Sequence, residues 1–377
     1  MVFGARHRPD PLPQFVGTSP LAALERELRA ALQRPPCLVS FSGGGDSSVV
    51  LAAAAALARR EGLAAPIPAT IVFPAAPATD ETAWQEQVLT HLGLVDWLRI
   101  EYADELDLIG PYAQRVLRRH GLLWPCNVHM HLPLLDAARG GSLITGIGGD
   151  ELFEAARMLR ASAILGGAER LSPRDMLTLG LAFAPTPVRR RVIAHREPVT
   201  SEWLRPRARR IVAAESAAQG AAQPRRLHER LAWWQSLRYR AVALAALELT
   251  ARDTDVLMAH PLFSPGFWAA VAAAGSPHGF PGRTVGMRRL FGNLVPDEVL
   301  ARRSKAHFDE AIWGARSRAF AVVWDGAGVP EEWVDTDALA RHWRGQHPSA
   351  QSFVLLQAAW LASLPDNVEQ PADGVLE

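Results

Sequence analysis

Residues 37–50 read CLVSFSGGGDSSVV, an apolar run that breaks into serine and glycine and then resumes as the alanine-rich LAAAAALARR. The pattern predicts a buried strand over 37–41, a glycine turn, and a helix starting near Asp46. Gly43, Gly44 and Gly45 remove the side chains that would keep a ligand off the backbone amides. The helix behind them adds unpaired N–H groups and the positive end of its dipole, and Ser42, Ser47 and Ser48 add hydroxyl donors. Such a turn suits a phosphate. Asp46 does not, because a carboxylate beside a phosphate is repelled unless a divalent cation lies between them, so magnesium is implied.

The hexapeptide SGGGDS resembles the PP-loop, SGGxDS, of ATP pyrophosphatases, and it lacks the GK[ST] ending of a Walker A loop. That resemblance implies ATP, with its β,γ-pyrophosphate in the loop. Composition narrows the remaining classes. A chain of 377 residues, 49% hydrophobic, buries a large core, and a formal charge of +1 with no basic block standing apart predicts neither a nucleic-acid nor a membrane partner. The first fifteen residues hold no apolar core of signal-peptide length, so a cytoplasmic location is expected. Cys37 and Cys126 belong to no CxxC pair, which argues against a zinc site or a disulfide framework. Among 40 basic residues one is lysine, Lys305, where a compact ammonium does what a planar guanidinium does poorly.

Along the chain, 1–35 is expected to be an arm followed by an amphipathic helix (19–34). Strands are predicted over 37–41, 69–73, 96–101 and 142–147, with helices at 82–92 and 111–120 between them. Alternating strands and helices imply a doubly wound parallel sheet with right-handed crossovers, an α/β fold whose ligands sit at the carboxyl ends of the strands. The fourth strand runs into TGIGGDELFE, a second glycine turn followed by an aspartate, so Asp46 and Asp150 are expected to share a metal ion. Residues 155–235, rich in Ala, Arg and Leu and interrupted by prolines, read as a mainly helical insertion. Residues 231–253 read as one helix, and 321–377 as a C-terminal helical extension and tail.

SGGGDS, the VFP turn at 72–74 and TGIGGDELF together resemble the synthetase domain of the asparagine synthetase family. AHPLFSPGFW (259–268) and MRRLFGNLVPDEVLARRSKAHFDEAIWG (287–314) fit the same family. The resemblance spans about residues 19–320 and implies a PP-loop ATP pyrophosphatase fold over 36–320. It also implies an AMP-forming amide ligase that uses ATP and Mg2+ to activate a carboxylate. By motif position, Ser42, Gly43, Gly44, Gly45, Asp46 and Ser47 hold pyrophosphate, and Phe41, Ile71, Thr145 and Gly146 line the adenosine site. Asp46 and Asp150 bind the metal, and Lys305, in the RxKxxF pattern, neutralises charge that grows in the reaction.

Three departures shape the expectation. The chain begins Met1-Val2, without the cysteine nucleophile at position 2 of glutaminase-bearing relatives, so ammonia, an amine, a separate amidotransferase or a carrier protein is expected to supply a substrate. Ile147 stands where asparagine synthetases carry a glutamate, which argues against aspartate as the carboxylate. No arginine-containing pattern occupies WPCNVHMH (124–131). His129 and His131, which would share a face on a strand, are candidate bases there, as is Glu151. Competing readings are another PP-loop activity, such as tRNA modification or NAD synthesis, and a nucleotide-binding scaffold without catalysis.

Overall fold

The computed structural model describes residues 11–13, 17–153, 164, 173–196, 199–302 and 309–365. Among these, five parallel strands lie side by side in the order β3-β2-β1-β4-β5: β1 (Cys37–Ser40), β2 (Ile67–Val72), β3 (Leu98–Glu101), β4 (Ser142–Ile144) and β5 (Leu257–Ala259). From β1 the chain moves to β2 on one side and later to β4 on the other. Strand order therefore reverses at β1, and the crossovers on its two sides diverge to leave a crevice beyond its carboxyl end. Val39 pairs with Ile144, so β1 and β4 run into their glycine turns at the same height. The expected doubly wound α/β fold is the one observed.

Helix α1 (Pro20–Leu32) starts behind Ser19, whose hydroxyl accepts from the Ala22 amide at 3.2 Å, and it buries Leu24, Leu28 and Leu32. Helix α2 (Gly45–Glu61) is buried almost continuously from Ser47 to Ala58 and stops at Gly62. Its alanines at 52–55 explain the all-round burial, since small side chains let neighbours approach from several sides. Arg29 and Glu61, and Arg60 and Glu25, tie α1 to α2 at 2.7 Å each. These pairs are exposed and register the helices more than they stabilise them. Helix α3 (Thr82–Leu92) and helix α4 (Pro111–His120) begin and end where the sequence predicts, followed by the short α5 (Leu132–Ala137) and α6 (Gly149–Phe153).

Besides shifts of one or two residues at the ends of α1, β2 and β3, three elements differ from expectation. Strand β5 was not foreseen, being three half-buried residues with no alternation to read. The fourth strand stops at Ile144 instead of 147, because the chain turns at Thr145 and passes through Gly148 at φ +108°. The helix predicted over 231–253 is two helices, Leu227–Ser236 and Arg238–Arg252, broken at Leu237 (φ −70°, ψ 128°). The Ser236 hydroxyl bonds the Trp233 carbonyl at 2.8 Å and takes over an acceptor of the helix end.

In the insertion, the described part is mainly helical: Pro173–Phe183, Thr186–Arg196, Pro206–Ala222 and the segment from Leu227. Prolines 173 and 206 open helices rather than interrupt them. Helices on either side of residue 320 share one hydrophobic cluster, in which Trp313, Trp343 and Phe353 meet Leu108 and Leu117. Among the described residues no helix is long and apolar enough to cross a membrane.

Candidate active site

The first glycine turn is held in shape by its own serines. Phe41 is buried, its amide bonded to the Ala69 carbonyl at 2.8 Å, and Thr70 donates its hydroxyl to the Phe41 carbonyl at 2.7 Å, which anchors the end of β1 to β2. The Ser47 hydroxyl then gathers the loop: it accepts from the Ser42 amide at 3.3 Å, lies 3.1 Å from the Ser42 hydroxyl and donates to the Gly44 carbonyl at 3.2 Å. No side chain caps α2, so its first turn presents open amides to the loop. Gly44, Gly45, Asp46 and Ser47 all line one cavity, and this cradle fits a pyrophosphate. Gly43 sits behind it against Gln85. Ser48, expected to add a hydroxyl, is instead fully buried in α2 and is not in the wall of that cavity, because it lies inside the helix where its face meets the core.

The second turn packs directly on the first. A Cβ on Gly146 would lie 3.0 Å from the Ser47 amide, and one on Gly149 would overlap the Asp46 carboxylate. Only glycine lets these loops close. Asp46 and Asp150, the expected metal pair, are indeed brought to one place, with a guanidinium between them. Arg283 Nη2 lies 2.7 Å from both carboxylate oxygens of Asp46, and Nη1 lies 3.1 Å from Asp150 Oδ1. Among the described residues no group of three or more His, Cys, Asp or Glu side chains gathers to hold a metal. Two carboxylates beside a pyrophosphate cradle nevertheless fit magnesium, which takes few protein ligands and completes its shell with phosphate oxygens and water.

That cavity, about 790 Å³, also holds Thr145, Gly146, Ile147, His131 and Arg302 in its walls. A second, of about 490 Å³, is lined by Phe41, Ile71, Phe73 and Thr79. The two share Ser40, Ser42, Glu81 and His131. The four residues expected together at adenosine thus divide, with Phe41 and Ile71 in the smaller cavity and Thr145 and Gly146 in the larger. The cause is the switch point itself, which sends β2 and β4 to opposite sides of β1.

The histidines do not share a face. Val128–His131 is a 3-10 turn, not a strand, so residues two apart point about 120° apart. His129 is buried with both ring nitrogens on carbonyls, Cys126 at 3.2 Å and Leu106 at 3.0 Å, which leaves it no access to a reactant. His131 reaches both cavities, and burial together with the neighbouring His129 pushes its pKa down to about 4. His260, which sequence reasoning missed, follows β5; its Nδ1 lies 2.6 Å from the Thr145 hydroxyl, and burial pushes it down to about 4 as well.

Glu151, a candidate base, points elsewhere. It pairs at 3.3 Å with Arg240, whose buried guanidinium lies 4.0 Å from the Phe263 ring and is flanked by Trp234 and Trp268. Its charge anchors α6 and lines neither cavity, which corrects that assignment. Lys305 lies outside the described residues. Three positions before it, Arg302 pairs with Glu81, stacks 4.9 Å from the Trp84 ring and donates to the Gly43 carbonyl at 3.4 Å, so the chain approaching Lys305 is fastened to the glycine turn. Arg283 had one sequence signal that went unused. A cation at the first position of a helix opposes the dipole and needs a compensating anion.

A doubly wound parallel sheet with a glycine cradle and paired aspartates at its switch point defines a PP-loop nucleotide-binding domain. Residues 22–263 match the asparagine synthase family model, and the chain belongs to that family. It is therefore an ATP-dependent amide ligase of the PP-loop class, a family that uses ATP, generally with Mg2+. No curated protein matches the chain.

Proposed function

We propose that this enzyme adenylates a carboxylate other than aspartate and passes the acyl group to ammonia or an amine, releasing AMP and pyrophosphate. The observation that carries the reading is the junction of the two cavities at Ser40, Ser42, Glu81 and His131. Adenosine in the smaller cavity, against Phe41 and Ile71, sets the α-phosphate at that junction, with the pyrophosphate on the turn from Ser42 to Ser47. The carboxylate then approaches from the larger cavity. There Ile147 offers an apolar wall and no acid for an α-amino group, which supports a substrate unlike aspartate.

Asp46 and Asp150 would hold magnesium, which when bound would neutralise charge on the departing pyrophosphate. Lys305 supplies a cation to the oxyanion of the tetrahedral intermediate. His131 is unprotonated at neutral pH and stands at the junction, where it accepts the proton that the attacking amine sheds. Nitrogen comes as free ammonia, as an amine, or through a separate amidotransferase or carrier protein.

ATP–pyrophosphate exchange across a panel of carboxylic acids tests the first half-reaction alone. Exchange with a subset of acids, followed by amide formation with ammonium or an amine, is the expected result. No exchange with any acid, or glutamate release from glutamine by the purified chain, overturns the respective part of the reading.

A further inference from the structure

The charge of the chain, +1 in total, is unevenly divided. Residues 186–226 hold ten arginines and three carboxylates, a net +7, so the remainder is negative. This is a basic block that sequence reasoning missed. It folds as a hairpin of the helices Thr186–Arg196 and Pro206–Ala222, closed by Ile193, Ala217 and Ala221. Arg189 fastens one end, donating to the Gln223 carbonyl at 3.1 Å and the Thr186 hydroxyl at 3.4 Å, and so brings 189–191 beside 225–226. Arg190, Arg191, Arg225 and Arg226 are exposed there. Among the described residues none of these five arginines is paired with a carboxylate, whereas Arg207 at the opposite end meets Glu332 at 3.5 Å. The fold therefore leaves this charge uncompensated, and burial together with the neighbouring Arg225 holds the Arg189 guanidinium below its ordinary pKa. An anionic partner relieves that repulsion.

We propose that this end of the hairpin is a docking face for an acidic polypeptide, at the rim of the larger cavity. Its centre is apolar. Met176 and Phe183, seven positions apart and so on one side of the helix Pro173–Phe183, are 58% and 45% exposed, and Val188 is 50% exposed. The Arg225 guanidinium lies over the Phe183 ring at 5.3 Å. Apolar side chains rimmed by arginine are the composition of a protein interface, where carboxylates pair with the planar guanidinium and apolar groups close on the ring. A nucleic acid would leave these three apolar side chains bare. The guanidinium over Phe183 breaks the apolar strip that insertion into lipid needs. The rim placement follows from His278, whose ring meets Phe183 edge-on at 6.1 Å. Pro281, three residues on and so within about 11 Å of chain, lines the larger cavity.

Fluorescence anisotropy of a labelled peptide of about 20 residues, glutamate and leucine at helical spacing, tests the face on the full chain. The peptide is expected to bind, more weakly as salt rises, and its glutamine counterpart is not. Arg225→Glu combined with Arg226→Glu should weaken binding about tenfold or more. Arg318→Glu combined with Arg341→Glu, an equal change of charge on exposed arginines elsewhere, should leave it within about twofold. Phe183→Ser should weaken it without altering the salt dependence. Arg190→Glu combined with Arg191→Glu serves if the first pair does not fold. No binding of the glutamate peptide, or equal loss from the two arginine pairs, overturns the docking face. Tighter binding of single-stranded DNA or of phosphatidylserine vesicles through Arg225 and Arg226 overturns it too, and assigns those arginines to a nucleic acid or a lipid surface.

Discussion

Replacing Gly149 by alanine probes how the two glycine turns are joined. The added Cβ falls inside van der Waals contact of all three terminal atoms of the Asp46 side chain, the farthest at 2.5 Å. Such atoms rest about 3.5 Å apart and the nearest lies at 2.1 Å, so roughly 1.4 Å of movement is required. Either α6 shifts away from α2, an overpacking cost of about 1–3 kcal/mol, or the Asp46 carboxylate turns out from between Gly149 and Arg283. The second route gives up charge-assisted hydrogen bonds generally worth about 1.5–3 kcal/mol each. Partial exposure of the pair reduces that figure. Either route separates Asp46 from the second turn and its Asp150, so the variant is expected to lose roughly 2 kcal/mol in urea unfolding and about a hundredfold in ATP–pyrophosphate exchange. Gly180→Ala is the control. Nothing lies within 4 Å of its added Cβ, and it sits inside the helix Pro173–Phe183, so it should be neutral or more stable by about 0.5–1 kcal/mol. A Gly149→Ala enzyme with unaltered unfolding midpoint and full exchange would refute the close packing of the loops and the placement of Asp46 that follows from it.

Acid should destabilise the fold through its neutral histidines. His131 and His260 are pushed from 6.5 to about 4, so between those pH values the unfolded chain binds protons that the folded chain refuses. Stability present above pH 6.5 is therefore lost as pH falls toward 4, and His260→Gln should flatten the decline; a pH-independent midpoint across that window contradicts it. Glu151→Gln strands the buried Arg240 charge and should cost roughly 3 kcal/mol in stability with the affinity for ATP unchanged. Lost turnover with undiminished stability would restore Glu151 as a base. Lys305→Arg should keep most of a roughly hundredfold loss in rate seen with alanine, since a planar head replaces a point charge. Near-normal turnover removes the lysine from the mechanism.

Local chemistry was legible wherever glycine and proline punctuate the chain. Gly93 and Gly121 close α3 and α4, and Pro111 opens α4, so those bounds followed from residues in place. The cradle was legible for the same reason, because its donors belong to consecutive residues and to the helix behind them. Strand β5 was not, since Leu257–Ala259 is a strand only by pairing with β4. Reading His129 and His131 as partners failed because a two-residue spacing has meaning only once the local helix or strand is known.

The sequence by itself determined the class of ligand and the layering of the fold, because phosphate cradles and strand–helix alternation are built from neighbours along the chain. Tertiary structure decided which charges meet. Arg283 reaches Asp46 across 237 positions, and Arg302 reaches Gly43 across 259. Hydrophobic periodicity says which face of an element is buried, but it carries no information on which distant cation a buried carboxylate will find. That choice is made when the crossovers of β1 and β4 bring their ends together, and it settled that the aspartate pair faces an arginine and that Glu151 faces the core.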